Sequence, residues 1–216
     1  VTSRSLGVIE DLRHQAEEMV ARINPPKDAL VVDVGCNDGT LLKAFHEHGM
    51  RVLGIEPAAY VAKMATASGI PTVSTYFSEG LAKTIKDEWG PAKIITANRV
   101  FANIDDLTDV AAGVRHLLEP DGVFVFETGY LADILQYDLF ETVYHEHLGY
   151  DSVKPLDTFF RSHGMELINI ERLPLKGGSL RGTVQLTGGP RTVSPSVSSS
   201  ISFEGTLGIH SAGSFG

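Results

Sequence analysis

The chain has one cysteine, Cys36, in 216 residues. A lone thiol cannot close an intrachain disulfide or build a multi-cysteine zinc site. Positive charge is scarce too: 18 Lys and Arg stand against 27 Asp and Glu, a formal net charge of −9. Non-specific nucleic-acid binding needs a basic surface, and no Lys/Arg stripe offsets the deficit. No apolar run approaches the roughly 20 residues that cross a bilayer. No leader-like segment follows Val1. What is present is a globular composition, 43% hydrophobic and 21% charged, enough for one sizeable core with an appendage. The expectation is a cytoplasmic enzyme or binding domain with no nucleic-acid and no membrane partner.

The pattern along the chain alternates. Helical periodicity in "LGVIEDLRHQAEEMVARI" (6 to 23) ends at "NPP". "ALVVDVG" (29 to 35) is a short β-branched run, as expected of a strand buried on both faces. Helix and strand then repeat: "TLLKAFHEHG", "RVLGIEP", "AAYVAKMATASG", "PTVSTYF", "SEGLAKTIKDEWG", "AKIITAN", "IDDLTDVAAGVRHLLEPDG" as helix and turn, and "VFVFET" (123 to 128). Five rounds of this rhythm predict an α/β fold with a mainly parallel sheet and helices on both faces. After residue 150 it changes. One more helix (153 to 164) precedes two strands, "MELINIERLPL" and "GSLRGTVQLTGG", which read as a hairpin closing the sheet with an antiparallel edge. From residue 190 the Ser-rich "PRTVSPSVSSSISFEG" reads as a linker or tail, giving a domain over 1–189 and an appendage over 190–216.

Ligands of open α/β sheets bind beyond the C-terminal strand ends. The first such loop is "DVGCNDGT", Asp33 to Thr40, with glycines at 35 and 39. Gly35 permits a sharp turn and close ligand approach, and Asn37 and Asp38 are placed to cap the next helix. Acids here would repel a pyrophosphate and suit a cationic or zwitterionic ligand with an α-amino group and a sulfonium. Glu56, at the end of the second strand, stands 21 residues beyond Gly35, where an acid binds ribose hydroxyls in nucleoside-binding sheets. The loop and Glu56 together resemble the Rossmann-like class I S-adenosyl-L-methionine (SAM)-dependent methyltransferases. Asp33, Gly35, Asn37, Gly39 and Glu56 are then the expected cofactor contacts. Phe77, after the third strand, is placed to flank an adenine, and Asn98, after the fourth, to face the cofactor.

"FETVYHEHLGY" (140 to 150) puts Tyr144, His145, Glu146 and His147 in consecutive positions on the ligand-binding rim. Making an enolisable carbon nucleophilic requires a base near pKa 7 and a donor for the enolate oxygen. Histidine suits the first role and tyrosine the second, with a carboxylate to orient the histidine. His-x-His can also begin a metal site, but no motif supplies a third ligand, so no metal is expected.

"ETVYHEHLGY", "LKGGSLRG" (175 to 182) and "DVGCNDGTLL" together resemble the SAM-dependent sugar C-methyltransferases, which act on nucleotide-linked 4-keto-deoxysugars. The resemblance implies proton-transfer roles for Tyr144, Glu146 and His147. It also implies an acceptor side formed by Gly177, Gly178 and Ser179. Arg181, in the same stretch, is suited to a phosphate or carboxyl group. That family carries an N-terminal cysteine-rich zinc module and a C-terminal module; the 216 residues hold neither the first nor most of the second, and residues 190–216 are expected to lead toward the second. Asn103 in "RVFANIDD" stands where that family has a histidine. Two other readings stay open from the residues: an O- or N-methyltransferase of another small molecule, and a SAM-binding domain without turnover.

Overall fold

The computed structural model describes residue 2 and residues 6–138, 150–173 and 178–210. The elements follow the alternation read from the pattern: α1 (Leu6–Ile23), β1 (Leu30–Val34), α2 (Thr40–Glu47), β2 (Arg51–Ile55), α3 (Ala59–Ala67), β3 (Thr72–Val73), α4 (Glu79–Trp89), β4 (Ala92–Asn98), α5 (Leu107–Leu117), β5 (Leu118–Gly129), α6 (Leu131–Gln136), α7 (Val153–Ser162), β6 (Met165–Leu173), β7 (Ser179–Leu186) and α8 (Pro195–Thr206). A short 3₁₀ turn, Phe101–Asn103, links β4 toward α5.

The seven strands lie in the order β3-β2-β1-β4-β5-β7-β6. The first five pair in parallel. β7 runs antiparallel to β5 and β6, so the C-terminal hairpin forms one side of the sheet, with β6 at its edge. The chain winds outward from β1 to β3 and returns to β4 beside β1. Strand order therefore reverses between β1 and β4, which opens a crevice at their C-terminal ends.

The apolar runs of β1, β4 and β5 are explained by burial on both faces. Val31, Ile94, Val123 and Val125 pack with α1 and α2 residues such as Met19, Leu42 and Phe45. Val32, Ile95, Phe124 and Phe126 face the opposite layer, with Val110, Val114 and Phe160. Phe126 stacks on Phe101 at a centroid separation of 4.9 Å and lies 5.5 Å from Phe160. Gly182 of β7 makes room for that ring, since a Cβ there would run into Phe126.

Two expectations need correction. β5 starts at Leu118, where a turn was expected, because Leu118 pairs with Ala92 across a register shift. The Ser-rich segment after residue 190 was expected as linker or tail, yet residues 195–206 form a helix packed on α7 and β6. Ser194 caps it and Pro195 occupies its first turn. Its start also covers the β6 edge: Ser194 N–H donates to the Ile168 carbonyl (2.8 Å) and Ile170 N–H to Ser196 Oγ (3.0 Å). Glu204, fully buried, accepts from the N–H groups of Val153 (2.5 Å) and Lys154 (3.1 Å), closing the N-terminus of α7. Among the described residues no helix is long and apolar enough to cross a membrane.

Candidate active site

The crevice at the switch point has two compartments. The polar one, about 270 Å³, is lined by Asp33 and Gly35 from the first loop, Asp11 and Gln15 from α1, and Asn98 and Arg99 from the end of β4. The other, about 420 Å³, is largely apolar, with Val34, Ile55, Pro57, Phe77, Ile104 and Val110 in its wall. Gly35, Glu56 and Val100 border both. The crevice therefore has a charged end, an apolar end with Phe77 in its wall, and a carboxylate at the junction.

The first loop is built by turn chemistry. Gly35 (φ +73) and Asn37 (φ +52) take left-handed conformations that leave the strand abruptly. A Cβ on Gly35 would strike Val100, so this glycine is required by the neighbouring loop as well as by the sharp turn that the sequence suggested. Gly39 (φ +77) turns the chain into α2. A Cβ there would come within 2.9 Å of Ile70, and Gly39 borders neither compartment. Asn37 does not make the cap of α2 expected of it. Gly39 is the N-cap residue, while Asn37 Oδ1 accepts from the N–H groups of Asp38 (2.9 Å) and Thr2 (3.3 Å). Asp38 Oδ1 accepts from the hydroxyl of Thr40, the first residue of α2, at 2.6 Å.

Glu56 is held rigidly. Oε2 accepts from Asn37 N–H at 3.0 Å and Oε1 from Ala58 N–H at 2.9 Å, and each oxygen keeps a further lone pair for a ligand hydroxyl. Asp33 lies beneath the loop and accepts from Thr96 Oγ1 at 2.6 Å. Its carboxyl is pushed up to about 7, mainly by burial and further by the nearby Glu56, against the opposing Thr96 hydrogen bond. Burial, with Asp33 and Glu56 nearby, likewise raises the Cys36 thiol and keeps it protonated.

Phe77 enters the apolar compartment from one side and packs on Gly113 from the other. The Asn98 side chain borders the polar compartment but exchanges amide hydrogen bonds with Gln15, at 3.1 and 3.2 Å. That pair ties α1 over the crevice. Arg181 also borders the polar compartment. It is nearly buried and pairs with Glu127 at 3.3 Å, with Glu171 at 3.8 Å and Glu18 at 3.9 Å farther out. Ser179 pairs with Gly129 at the C-terminal end of β5, and a Cβ on Gly178 would meet Asp133 of α6. Both lie at the ligand rim, outside the two compartments. Tyr144, His145, Glu146, His147 and Gly177 fall outside the described residues. The residues flanking the string are described: Tyr130 bridges Asp151, and Thr128 Oγ1 donates to Asp151 Oδ2 at 2.6 Å, both at the end of β5.

The sequence reading missed Asp11, Gln15, Arg99 and Glu127. Asp11 and Gln15 are four apart on α1, a polar pair on one helix face, which was a usable signal. Arg99 and Glu127 close β4 and β5, the strand ends where ligands gather.

The donor set fits SAM. A carboxylate between an apolar slot and an acid-lined pocket matches a ribose between an adenine and a cationic amino-acid end. A methyltransferase-domain profile matches residues 8–170. The chain is 32% identical over 209 residues to C-methyltransferase NovU of Streptomyces niveus, covering 97% of this chain and 50% of NovU. It thus spans about half the length of that curated relative. Among solved structures, magnesium protoporphyrin IX methyltransferase from Synechocystis PCC 6803 with bound SAH matches with a TM-score of 0.59 at 13% identity, over 83% of each chain. An S-adenosylmethionine-dependent methyltransferase from Clostridium acetobutylicum matches at 0.62 and 11% identity, over 82% of this chain and 92% of that one. These two likenesses are of fold.

Proposed function

We propose that this chain, which belongs to the methyltransferase-domain family, takes SAM as its methyl donor and methylates carbon in a nucleotide-linked keto-deoxysugar. The donor supplies an electrophilic methyl group, so the protein's own task is to make the acceptor carbon nucleophilic. In this reading His147 takes the proton from the carbon beside the ketone, Glu146 orients the imidazole, and Tyr144 donates to the developing enolate oxygen. Glu56 holds the ribose of the donor and Phe77 flanks its adenine. Asp33, Gly35, Asn37, Gly39 and Asn98 shape or line the amino-acid end. The acceptor lies toward β5 and β7, with Gly177, Gly178, Ser179 and Arg181 on its side.

The observation that carries the reading is the position of the string's flanks. Residues 138 and 150 bracket it, and the chain rejoins the fold at Asp151 against Thr128 and Tyr130, beside the crevice mouth. The likeness to a C-methyltransferase over nearly the whole chain supports it as well.

Deprotonation and methyl transfer can be tested separately. A keto-sugar nucleotide in heavy water, with S-adenosylhomocysteine (SAH) and no methyl donor, is expected to exchange the proton at the carbon to be methylated. His147→Asn should lose exchange and methyl transfer while keeping SAH affinity, and Tyr144→Phe should slow both by about 10²-fold. Wild-type exchange in His147→Asn moves the base elsewhere, to His145 first. Methylation of an oxygen or nitrogen acceptor with no exchange at carbon replaces the C-methylation reading.

A further inference from the structure

The residue after β4 is Arg99, with a backbone φ of +58. This left-handed region is cheap for glycine and costs energy for a long side chain. If turning the chain were the whole requirement, glycine would serve better, so the side chain is what the strain secures. The Arg99 N–H donates to the Glu127 carbonyl at 2.8 Å, and Nε donates to Glu127 Oε1 at 3.1 Å. The guanidinium is thus clamped at one edge. Among the described residues its terminal nitrogens, Nη1 and Nη2, have no partner. The side chain is 40% exposed and borders the polar compartment.

Charge within that compartment is sorted. Asp33 and Glu56 stand at the β1–β2 end and Asp11 comes down from α1, while Arg99 stands at the β4–β5 end. Arg181 shares Glu127 but also has Glu171 and Glu18 nearby. Arg99 is left, among the described residues, with a share in one carboxylate. The next residue, Val100, is the side chain that a Cβ on Gly35 would strike, so Arg99 is anchored one residue from the glycine loop. A ligand with an ammonium and a carboxylate on the same carbon matches this layout. The acids suit its ammonium, and a guanidinium whose two terminal nitrogens have no partner among the described residues suits its carboxylate in a bidentate pair.

We propose that Arg99 is the receptor for the α-carboxylate at the amino-acid end of the methyl donor. The inference rests on the crevice assigned above. A carboxylate or phosphate on the acceptor has the same chemistry and is the rival source, which the experiment separates.

The probes are SAH and 5′-methylthioadenosine, which shares the nucleoside and thioether but lacks the amino-acid end. Calorimetry on the full chain would compare wild type, Arg99→Gly, Arg99→Lys and Glu56→Ala. Arg99→Gly removes the guanidinium and relieves the backbone, but it leaves Glu127 to Arg181 alone, so some loss of melting temperature is expected and the readout is the contrast between the two probes. It should weaken SAH about 10-fold or more and leave methylthioadenosine within about twofold. Arg99→Lys keeps the charge without the fork and should fall between. Equal weakening of both probes in Arg99→Gly overturns the proposal in favour of a structural role at the rim. Unchanged SAH affinity with a raised acceptor KM overturns it in favour of an acceptor anion. Glu56→Ala checks the crevice itself: it should weaken both probes, and unchanged affinity for both would overturn the crevice and this subsite together.

Discussion

Asp33 combines a buried position, a hydrogen bond from Thr96 and the neighbouring Glu56, and its carboxyl titrates near 7 in the fold against 3.8 ordinarily. Between those values the folded protein binds a proton that the unfolded chain has released. Stability from this group is therefore present below about pH 4 and is lost as pH rises toward 7. The span corresponds to at most about 4 kcal/mol. Asp33→Asn removes that dependence, so melts at pH 5 and pH 7.5 should show the variant gaining on wild type as pH rises. A constant difference would mean the carboxyl is not raised. A cationic ligand works in the opposite direction, favouring the ionised carboxylate and releasing a proton on binding. At this scale the spacing from Gly35 pointed Glu56 toward the crevice. Glu56 does border both of its compartments. Gly35 was legible in part: its turn was readable, but the Val100 side chain that also demands its missing Cβ lies 65 positions away in the chain, beyond any local pattern.

At the scale of elements, the alternation of apolar strands and amphipathic helices was readable because the central strands β1, β4 and β5 are buried on both faces while the helices between them are buried on one. α8 escaped because its anchors are few and one is charged. Val197, Ile201 and Glu204 follow helical spacing, but a glutamate in that stripe reads as a surface position unless its burial is known. Glu204 stands where Ser152, the N-cap of α7, makes no side-chain cap of its own, and His210 Nε2 lies 2.9 Å from its outer oxygen. Removing it would leave the first N–H groups of α7 unpaired inside the protein. Glu204→Ala should cost about 1–3 kcal/mol by chemical denaturation, and Glu204→Gln less, because the amide oxygen still accepts. Equal stability in all three proteins would show that α8 rests on the sheet without supporting α7.

At the scale of the molecule, the antiparallel hairpin joins the parallel sheet along the β5–β7 ladder, and one side chain of that ladder reaches further. Arg181 of β7 lies opposite Glu127 of β5 in the ladder, approaches Glu171 of β6, and extends toward Glu18 of α1. It therefore links the strand pair added after residue 150 to the helix that covers the crevice. The sequence placed Arg181 on the acceptor side from its neighbours in "GGSLRG", and its position bordering the polar compartment is compatible with that. The two roles give different outcomes. As a structural joint, Arg181→Ala strands the buried Glu127 with half of its positive charge gone, at a cost of about 3 kcal/mol or more. Arg181→Met keeps much of the packing volume and should recover part of the loss only if packing matters alongside charge. As an acceptor ligand, both variants should raise the acceptor KM and leave SAH affinity within about twofold. A destabilised Arg181→Ala with an unchanged acceptor KM would make the residue a joint and nothing more. Full stability with a raised KM would make it an acceptor ligand whose ion pairs contribute little. Because the same carboxylate clamps Arg99, a third result is informative: SAH affinity falling in Arg181→Ala would show that the hairpin sets the amino-acid end of the cofactor site through Glu127.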